Sequence, residues 1–366
     1  MSFRDLLAGL PIPILQAPMA GASFDAMAVA VSQAGGMGSL AAAGVAPGEL
    51  GAVVDAIRAQ TDAPFGVNLL MAPPARPDPA EVDGALARLA PWYAELGVAL
   101  PESPNRFAQD FEAQLEALTR AAPPLASFSF SILARRQVDA LHAAGSYVVG
   151  TANTVAEARA WAEVGADGIC AQGFEAGGHH AYFLEDIEAS SVGTMALVAT
   201  VLQAVDLPVI AAGGIMDGRG VAAALALGAS AVQMGTAFLL ADEAINGPTW
   251  QTALRAAPDD ATRLTRAFSG RYARGLENRF VREMRGVQED VPAYPVQNRL
   301  TQALRVAADK AADPQMMSLW AGQAVTLARP GAAGEMVKRW WVEAQETAQA
   351  LSERTGARPQ RPVESN

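Results

Sequence analysis

Two textures alternate along the chain. Short, nearly continuous apolar runs occupy 12–19, 37–41, 65–70, 126–131, 147–151, 168–172, 209–213 and 231–238. Between them lie Ala-rich stretches with apolar residues at helical spacing, among them 25–33, 48–60, 135–143, 154–163, 196–204 and 218–226. Runs that are apolar at every position, rather than at every second one, predict strands buried on both faces, as in a parallel sheet. Gly35, Gly145, Gly165 and Gly228 each fall between a helical stretch and a strand, where a left-handed helix cap is expected. Pro64 and Pro208 lead into two other strands. Eight strands separated by helices predict a (β/α)8 TIM barrel. The rival is a doubly wound sheet, which has fewer strands and carries its main glycine motif after the first. Here the glycine-rich turns come late, after strands six, seven and eight.

Two insertions interrupt the rhythm. Residues 71–124 are too long for one strand–helix unit and carry Pro73, Pro74, Pro77 and Pro79. Residues 241–290 read as helical and charged, a smaller helical cap domain over the barrel mouth. Residues 293–311 and 316–327 would then supply the closing helix and a final support. The resulting division is 1–240 with 291–330 as barrel, 241–290 as cap, and 331–366 as C-terminal helix and tail. From Arg354 onward the polar, proline-containing sequence is expected to be unstructured.

The 366 residues are 51% hydrophobic and 18% charged, ample for a large core. A net charge of −11 argues against nucleic acid and anionic membranes as partners and leaves small molecules. A homodimer is compatible with it. Cys170 is the single cysteine, so no internal disulfide forms; it lies in an apolar run and reads as core. The start, Met1 to Asp5, has no signal-peptide pattern. Residues 221–240 carry no charge, yet Gly228, Ser230, Gln233, Gly235 and Thr236 break them into a helix and a strand rather than a membrane span. A soluble, cytoplasmic protein is expected.

Working residues of such barrels sit at the C-terminal strand ends. Those ends read Ala17-Pro18-Met19-Ala20-Gly21, Gly66-Val67-Asn68, Gln172, Gly213-Gly214 and Gln233-Met234-Gly235-Thr236. Gly213-Gly214, followed by Asp217 and a helix, offers backbone N–H groups to a phosphate, and Gly235-Thr236 adds an amide and a hydroxyl. The alternative is that these glycines only form turns. Asn68 and Gln172 are amides at buried positions and need partners. The donors and acceptors on the edge of a flavin ring would suit them; bonds to backbone inside the barrel would serve equally. The richest stretch is Gln172-Gly173-Phe174-Glu175-Ala176-Gly177-Gly178-His179. Gly177 and Gly178 permit close backbone approach, and His179 is a base beside it. His180 is expected to support it or face solvent, and His142 lies on a helix. Neither His179 nor His180 has a metal-ligand partner at a suitable spacing, so no metal is expected.

Together these stretches resemble the nitronate monooxygenase family, formerly called 2-nitropropane dioxygenases. The resemblance runs through 13–21, 32–38, 65–68, 172–179, 208–214 and 233–236, and on to Gln297-Asn298-Arg299-Leu300-Thr301 and Trp320-Ala321-Gly322-Gln323. It implies a barrel that binds FMN and oxidises alkyl nitronates with O2 to a carbonyl compound and nitrite. By the same resemblance Asn68, Gln172, Gly177, Gly214 and 233–236 would hold FMN. His179 would orient the anionic substrate or take the α-proton of a neutral nitroalkane. The loop Ser269-Gly270-Arg271-Tyr272-Ala273-Arg274-Gly275 is expected to be functional, its arginines bound to flavin phosphate, to anionic substrate, or only to Glu277 and Glu283. Tyr272 and Tyr294 are candidate pocket walls. The rival on the same scaffold is an NAD(P)H-dependent flavin reductase acting on a quinone or enoyl thioester, with Arg263, Arg266, Arg271 and Arg274 as its basic patch.

Overall fold

The structure, a computed structural model, describes residues 1–102, 104 and 106–356. The expected unstructured tail lies, from residue 357 on, outside the described residues. In chain order the strands are β1 (Ile14–Gln16), β2 (Gly38–Ala41), β3 (Phe65–Leu70), β4 (Leu125–Ser129), β5 (Tyr147–Ala152), β6 (Gly168–Gln172), β7 (Gly178–His179), β8 (Val209–Ala212), β9 (Ala231–Met234), β10 (Thr262–Thr265) and β11 (Ala273–Leu276). Eight of them make one parallel sheet, ordered β1-β9-β8-β6-β5-β4-β3-β2. A parallel bridge between Leu15 and Met37 links its two edges. The result is a nearly closed (β/α)8 barrel, as the apolar runs predict. Several strand ends differ, most of all at 12–19, which shortens to Ile14–Gln16, and at 231–238. The run 231–238 stops at Met234, because Gly235 (φ −116°, ψ −73°) leaves the extended region and starts a short 3-10 turn, Thr236–Phe238.

Local signals set the helices. Thr154 accepts a hydrogen bond from Glu157 N–H to start Val155–Val164, and Gly165 ends it at φ +95°. Asp217 caps Gly218–Ala226 by accepting from Arg219 and Gly220 N–H. The barrel floor is closed by the helix Phe3–Ala8. Its Phe3 and Leu7, with Leu10, pack against Leu15, Val149, Cys170, Ile210 and Ala231 inside the barrel. Gly168 makes room for this plug, since a Cβ there would lie 2.6 Å from the Phe3 ring.

Two expectations about the later segments change. The helix that packs on both Gly218–Ala226 and Asp25–Gln33, in the place of the barrel's eighth helix, is Ala333–Arg354. Residues 293–311 form instead two helices, Val296–Leu300 and Gln302–Lys310. The first is tied to the insertion helix Pro79–Glu95, where Tyr93 Oη donates to the Leu300 carbonyl at 2.6 Å. Small residues explain the docking of Ala333–Arg354: a Cβ on Gly218 would lie 2.3 Å from Glu343 Cβ. The segment 241–290 contains helices Pro248–Ala256 and Arg279–Met284, but also the antiparallel pair β10–β11. β11 pairs in turn with β7, so this segment grips the loop that leaves β6.

No helix is long and apolar enough to cross a membrane among the described residues. Cys170 is buried, and burial pushes its thiol up to about 12, so it is inert core.

Candidate active site

His179 is placed by both sheets. Gly178, at φ +72° with open space where a Cβ would be, turns the chain out of the barrel rim. His179 then pairs with Ala273 of β11. From below, the Gln172 amide clamps the same loop: Nε2 donates to the His179 carbonyl at 3.1 Å, and Oε1 accepts from Ala181 N–H at 2.9 Å and from Asn153 Nδ2 at 3.2 Å. Gln172 is therefore engaged chiefly with its own chain.

The His179 ring is half-buried. Its Nε2 lies 2.8 Å from Ser269 Oγ. Phe130, Tyr294 and Trp320 surround it, with ring centroids 5.5, 5.6 and 5.6 Å away. Phe130 holds φ +84°, a costly conformation for an aromatic residue, at the end of β4 beside this ring. Tyr294 thus walls the site, while the Tyr272 hydroxyl turns away to Glu289.

Three guanidinium groups stand nearby without a carboxylate partner among the described residues. Arg271 is sandwiched between the Phe130 and Tyr182 rings, 4.3 Å from each centroid, and donates to the His180 and Tyr182 carbonyls. Arg274 lies over Phe174 at 4.7 Å and donates to its carbonyl. Arg305 donates to Asn298 O and Oδ1 at 2.8 and 3.0 Å. Neither loop arginine binds Glu277 or Glu283; Arg263 and Arg285 take Glu277, and Arg279 takes Glu283. Burial, then the charges of Arg271 and Arg305, push His179 down to about 3, so its imidazole is neutral at working pH. His180 is sealed from solvent with neither ring nitrogen hydrogen-bonded among the described residues, and burial with Arg274 and Arg271 pushes it down to about 3 as well.

The strand-end glycines divide by what fills the place of their missing side chains. A Cβ on Gly177 would lie 2.5 Å from Gly322 N, so this glycine admits the Trp320-Ala321-Gly322-Gln323 segment. That segment is pinned by Gly322 N–H to Thr236 Oγ1 at 2.9 Å and Gln323 N–H to the Glu175 carbonyl at 3.0 Å. Gly213 and Gly214 have φ +110° and +72°, and their N–H groups donate to no backbone acceptor among the described residues. Gly235 brings the ends of β9 and β1 together, its Cβ position 3.4 Å from Ala17 Cβ and 3.6 Å from Met19 Sδ. Ala17, Pro18 and Met19 are partly open there, and Ala20 is exposed. Asn68 Nδ2 donates to Ser127 O and Oγ at 3.1 and 3.0 Å, leaving Oδ1 without a donor among the described residues. Gln233, next to buried Met234, reaches Cys170 Sγ at 3.5 Å across the barrel interior. An acidic group fits the free N–H pair at Gly213–Gly214, and a ring N–H fits Asn68 Oδ1.

Sequence reasoning missed Phe130, Arg305 and Gln16. Buried Gln16 accepts Ser39 N–H at 2.8 Å and donates to Ser23 Oγ at 3.2 Å, bracing the β1 end. An amide on a three-residue apolar strand was the available signal. Phe130 and Arg305 had none, because their roles arise from contacts far apart in sequence.

Comparison with known proteins places these features in a wider group. The nitronate monooxygenase family profile matches residues 4–342. A nitronate monooxygenase of Pseudomonas aeruginosa is 43% identical over 340 residues, 91% of this chain and 96% of that one. A solved nitroalkane oxidase from Streptomyces ansochromogenes superposes with a TM-score of 0.87 at 42% identity, covering 95% of this chain and 100% of the other. FabK from Thermotoga maritima follows with a TM-score of 0.73 and 28% identity, covering 96% and 98%.

Proposed function

Because the chain belongs to the nitronate monooxygenase family, we propose that it binds FMN at the strand ends and uses O2 to oxidise alkyl nitronates, and the nitroalkanes that yield them, to carbonyl compounds and nitrite. The observation that carries this reading is His179, a neutral imidazole walled by aromatic rings and overlooked by guanidinium groups that form no salt bridge among the described residues. Such a niche favours an anion over its neutral acid. The field of Arg271 and Arg305 that makes an entering nitroalkane more acidic also lowers the proton affinity of His179, so the imidazole takes the α-proton only as the nitronate charge forms beside it and offsets those arginines. A preformed nitronate is held by the same field.

The residues present fit FMN. The unspent N–H groups of Gly213 and Gly214 would receive its phosphate, and Asn68 Oδ1 would accept from a ring N–H. Gly235 and Thr236 would line the phosphate side, with Ala17 to Ala20 and Gln233 along the ring. FMN, when bound, would supply the electron transfer between substrate and O2. The protein's part is to orient the substrate, hold its proton and exclude water.

The decisive assay is oxygen uptake by the purified, flavin-loaded protein on addition of an alkyl nitronate such as propionate 3-nitronate. Uptake with release of nitrite is expected. A yellow protein that consumes no oxygen with nitronate, yet is bleached anaerobically by NADH, would overturn the reading in favour of the reductase. Two of the four arginines assigned to that rival's basic patch are already paired, Arg263 with Glu277 and Arg266 with Glu289.

A further inference from the structure

Ser269 is buried, and its hydroxyl has three neighbours: His179 Nε2 at 2.8 Å, the Arg271 carbonyl at 2.9 Å and the Arg271 N–H at 3.3 Å. A serine hydroxyl has one proton to give and two lone pairs with which to accept. The Arg271 carbonyl can only accept, and the Arg271 N–H can only donate. Satisfying both leaves Ser269 Oγ one further role toward His179, that of acceptor. Nε2 must then carry the imidazole proton. In the neutral ring the lone pair therefore resides on Nδ1, which has no hydrogen-bond partner among the described residues and is not among their sealed, unpartnered atoms.

We propose that Ser269 is a positioning residue that fixes the Nε2–H tautomer of His179 and presents Nδ1 as the proton acceptor. This rests on the reading of His179 as the base for neutral nitroalkanes. The C–H electron pair stays on the substrate as nitronate, the proton passes to Nδ1, and the resulting imidazolium keeps its Nε2–H bond to Ser269. Unlike a carboxylate in the same place, a neutral hydroxyl orients the ring without holding a counter-charge beside it. The ring can thus remain neutral amid Arg271 and Arg305. The turn that carries Ser269 is closely packed, since a Cβ on Gly270 would lie 2.1 Å from the Pro292 carbonyl oxygen.

The test is the nitrogen spectrum of the full-length, flavin-loaded protein with 15N-labelled histidine, in which His179→Ala identifies the signals among the three histidines. A pyrrole-type Nε2 and a pyridine-type Nδ1 are expected. Ser269→Ala should mix the two tautomers and lower kcat on a neutral nitroalkane at least about tenfold, within the roughly 10²–10⁴-fold that a positioned base contributes. Turnover of preformed nitronate should change far less, and Ser269→Thr should restore both tautomer and rate. A pyrrole-type Nδ1 in the unaltered protein overturns the assignment whatever the variants do. So does a Ser269→Ala spectrum and rate equal to the parent's. If the expected tautomer is seen in a protein inert toward nitronates and nitroalkanes alike, the functional reading falls and the tautomer assignment stands.

Discussion

At the scale of single residues, two adjacent histidines carry different burdens. His179 faces the aromatic niche, and His179→Ala should keep bound flavin but cut turnover of neutral nitroalkanes by about 10²–10⁴-fold, with a smaller loss on nitronates, which need no base. An unaltered nitroalkane rate, with flavin content checked by absorbance, would remove His179 from the chemistry. His180 is buried with two unpartnered nitrogens, a debt in stability rather than an asset. Its folded value near 3 lies below the ordinary 6.5, so the folded state resists protonation. The penalty for keeping it unprotonated is absent above pH 6.5 and grows as pH falls toward 3, by at most about tenfold in the folding equilibrium per pH unit. His180→Phe should flatten that acid decline, read as midpoint temperature between pH 7 and pH 4.5. A parallel decline in both proteins would place the acid sensitivity elsewhere. That His179 would stand at the barrel rim was legible from Gly-Gly-His after a strand end. The orphan state of His180 was not, because it depends on Phe174 and on Arg271 and Arg274, whose arrangement only folding reveals.

At the scale of elements, the strand-end glycines that one reading groups as a ligand cradle do two jobs. Gly177 accommodates Gly322, whereas Gly214, at a left-handed turn, has an N–H with no backbone acceptor among the described residues. Gly177→Val should therefore yield a protein that still binds flavin but melts earlier, with a cost of about 1–3 kcal/mol for overpacking. Gly214→Val should yield a colourless protein, since a β-branched side chain at φ +72° both strains the turn and crowds the N–H pair. Flavin absorbance and a melting curve on each variant separate the cases, and the reverse pattern would exchange the two roles. All eight barrel strands were readable because each is a largely apolar run, broken mainly by the polar residues near the strand ends. β7, β10 and β11 were not: β7 has two residues, and β10 carries Arg263 among Thr262, Leu264 and Thr265 on a sheet too small to impose an apolar run. The helix Ala333–Arg354 was foreseen, but its seat against Gly218–Ala226 was not, because close approach through Gly218 is a property of the pair.

At the scale of the whole molecule, the site and its surroundings have opposite signs. The chain carries a net charge of −11, yet Arg271 and Arg305 act on the niche, and neither forms a salt bridge among the described residues. An anionic nitronate is thus repelled at long range and attracted at short range. Salt distinguishes the two, because screening acts over roughly 30 Å at 0.01 M ionic strength but only about 10 Å at 0.1 M, and buried charges are screened least. Raising ionic strength across that range should remove the outer repulsion and spare the inner attraction. The kcat/KM for nitronate should rise about two- to tenfold, the low end of what long-range fields do to association. A neutral nitroalkane of the same carbon skeleton, which feels neither field as a charge, should be indifferent to salt and serves as the control. A fall in kcat/KM for nitronate would mean that the guanidinium groups, not the net charge, govern the approach. The cationic niche would then extend to the rim, and Arg271→Ala should abolish the salt dependence.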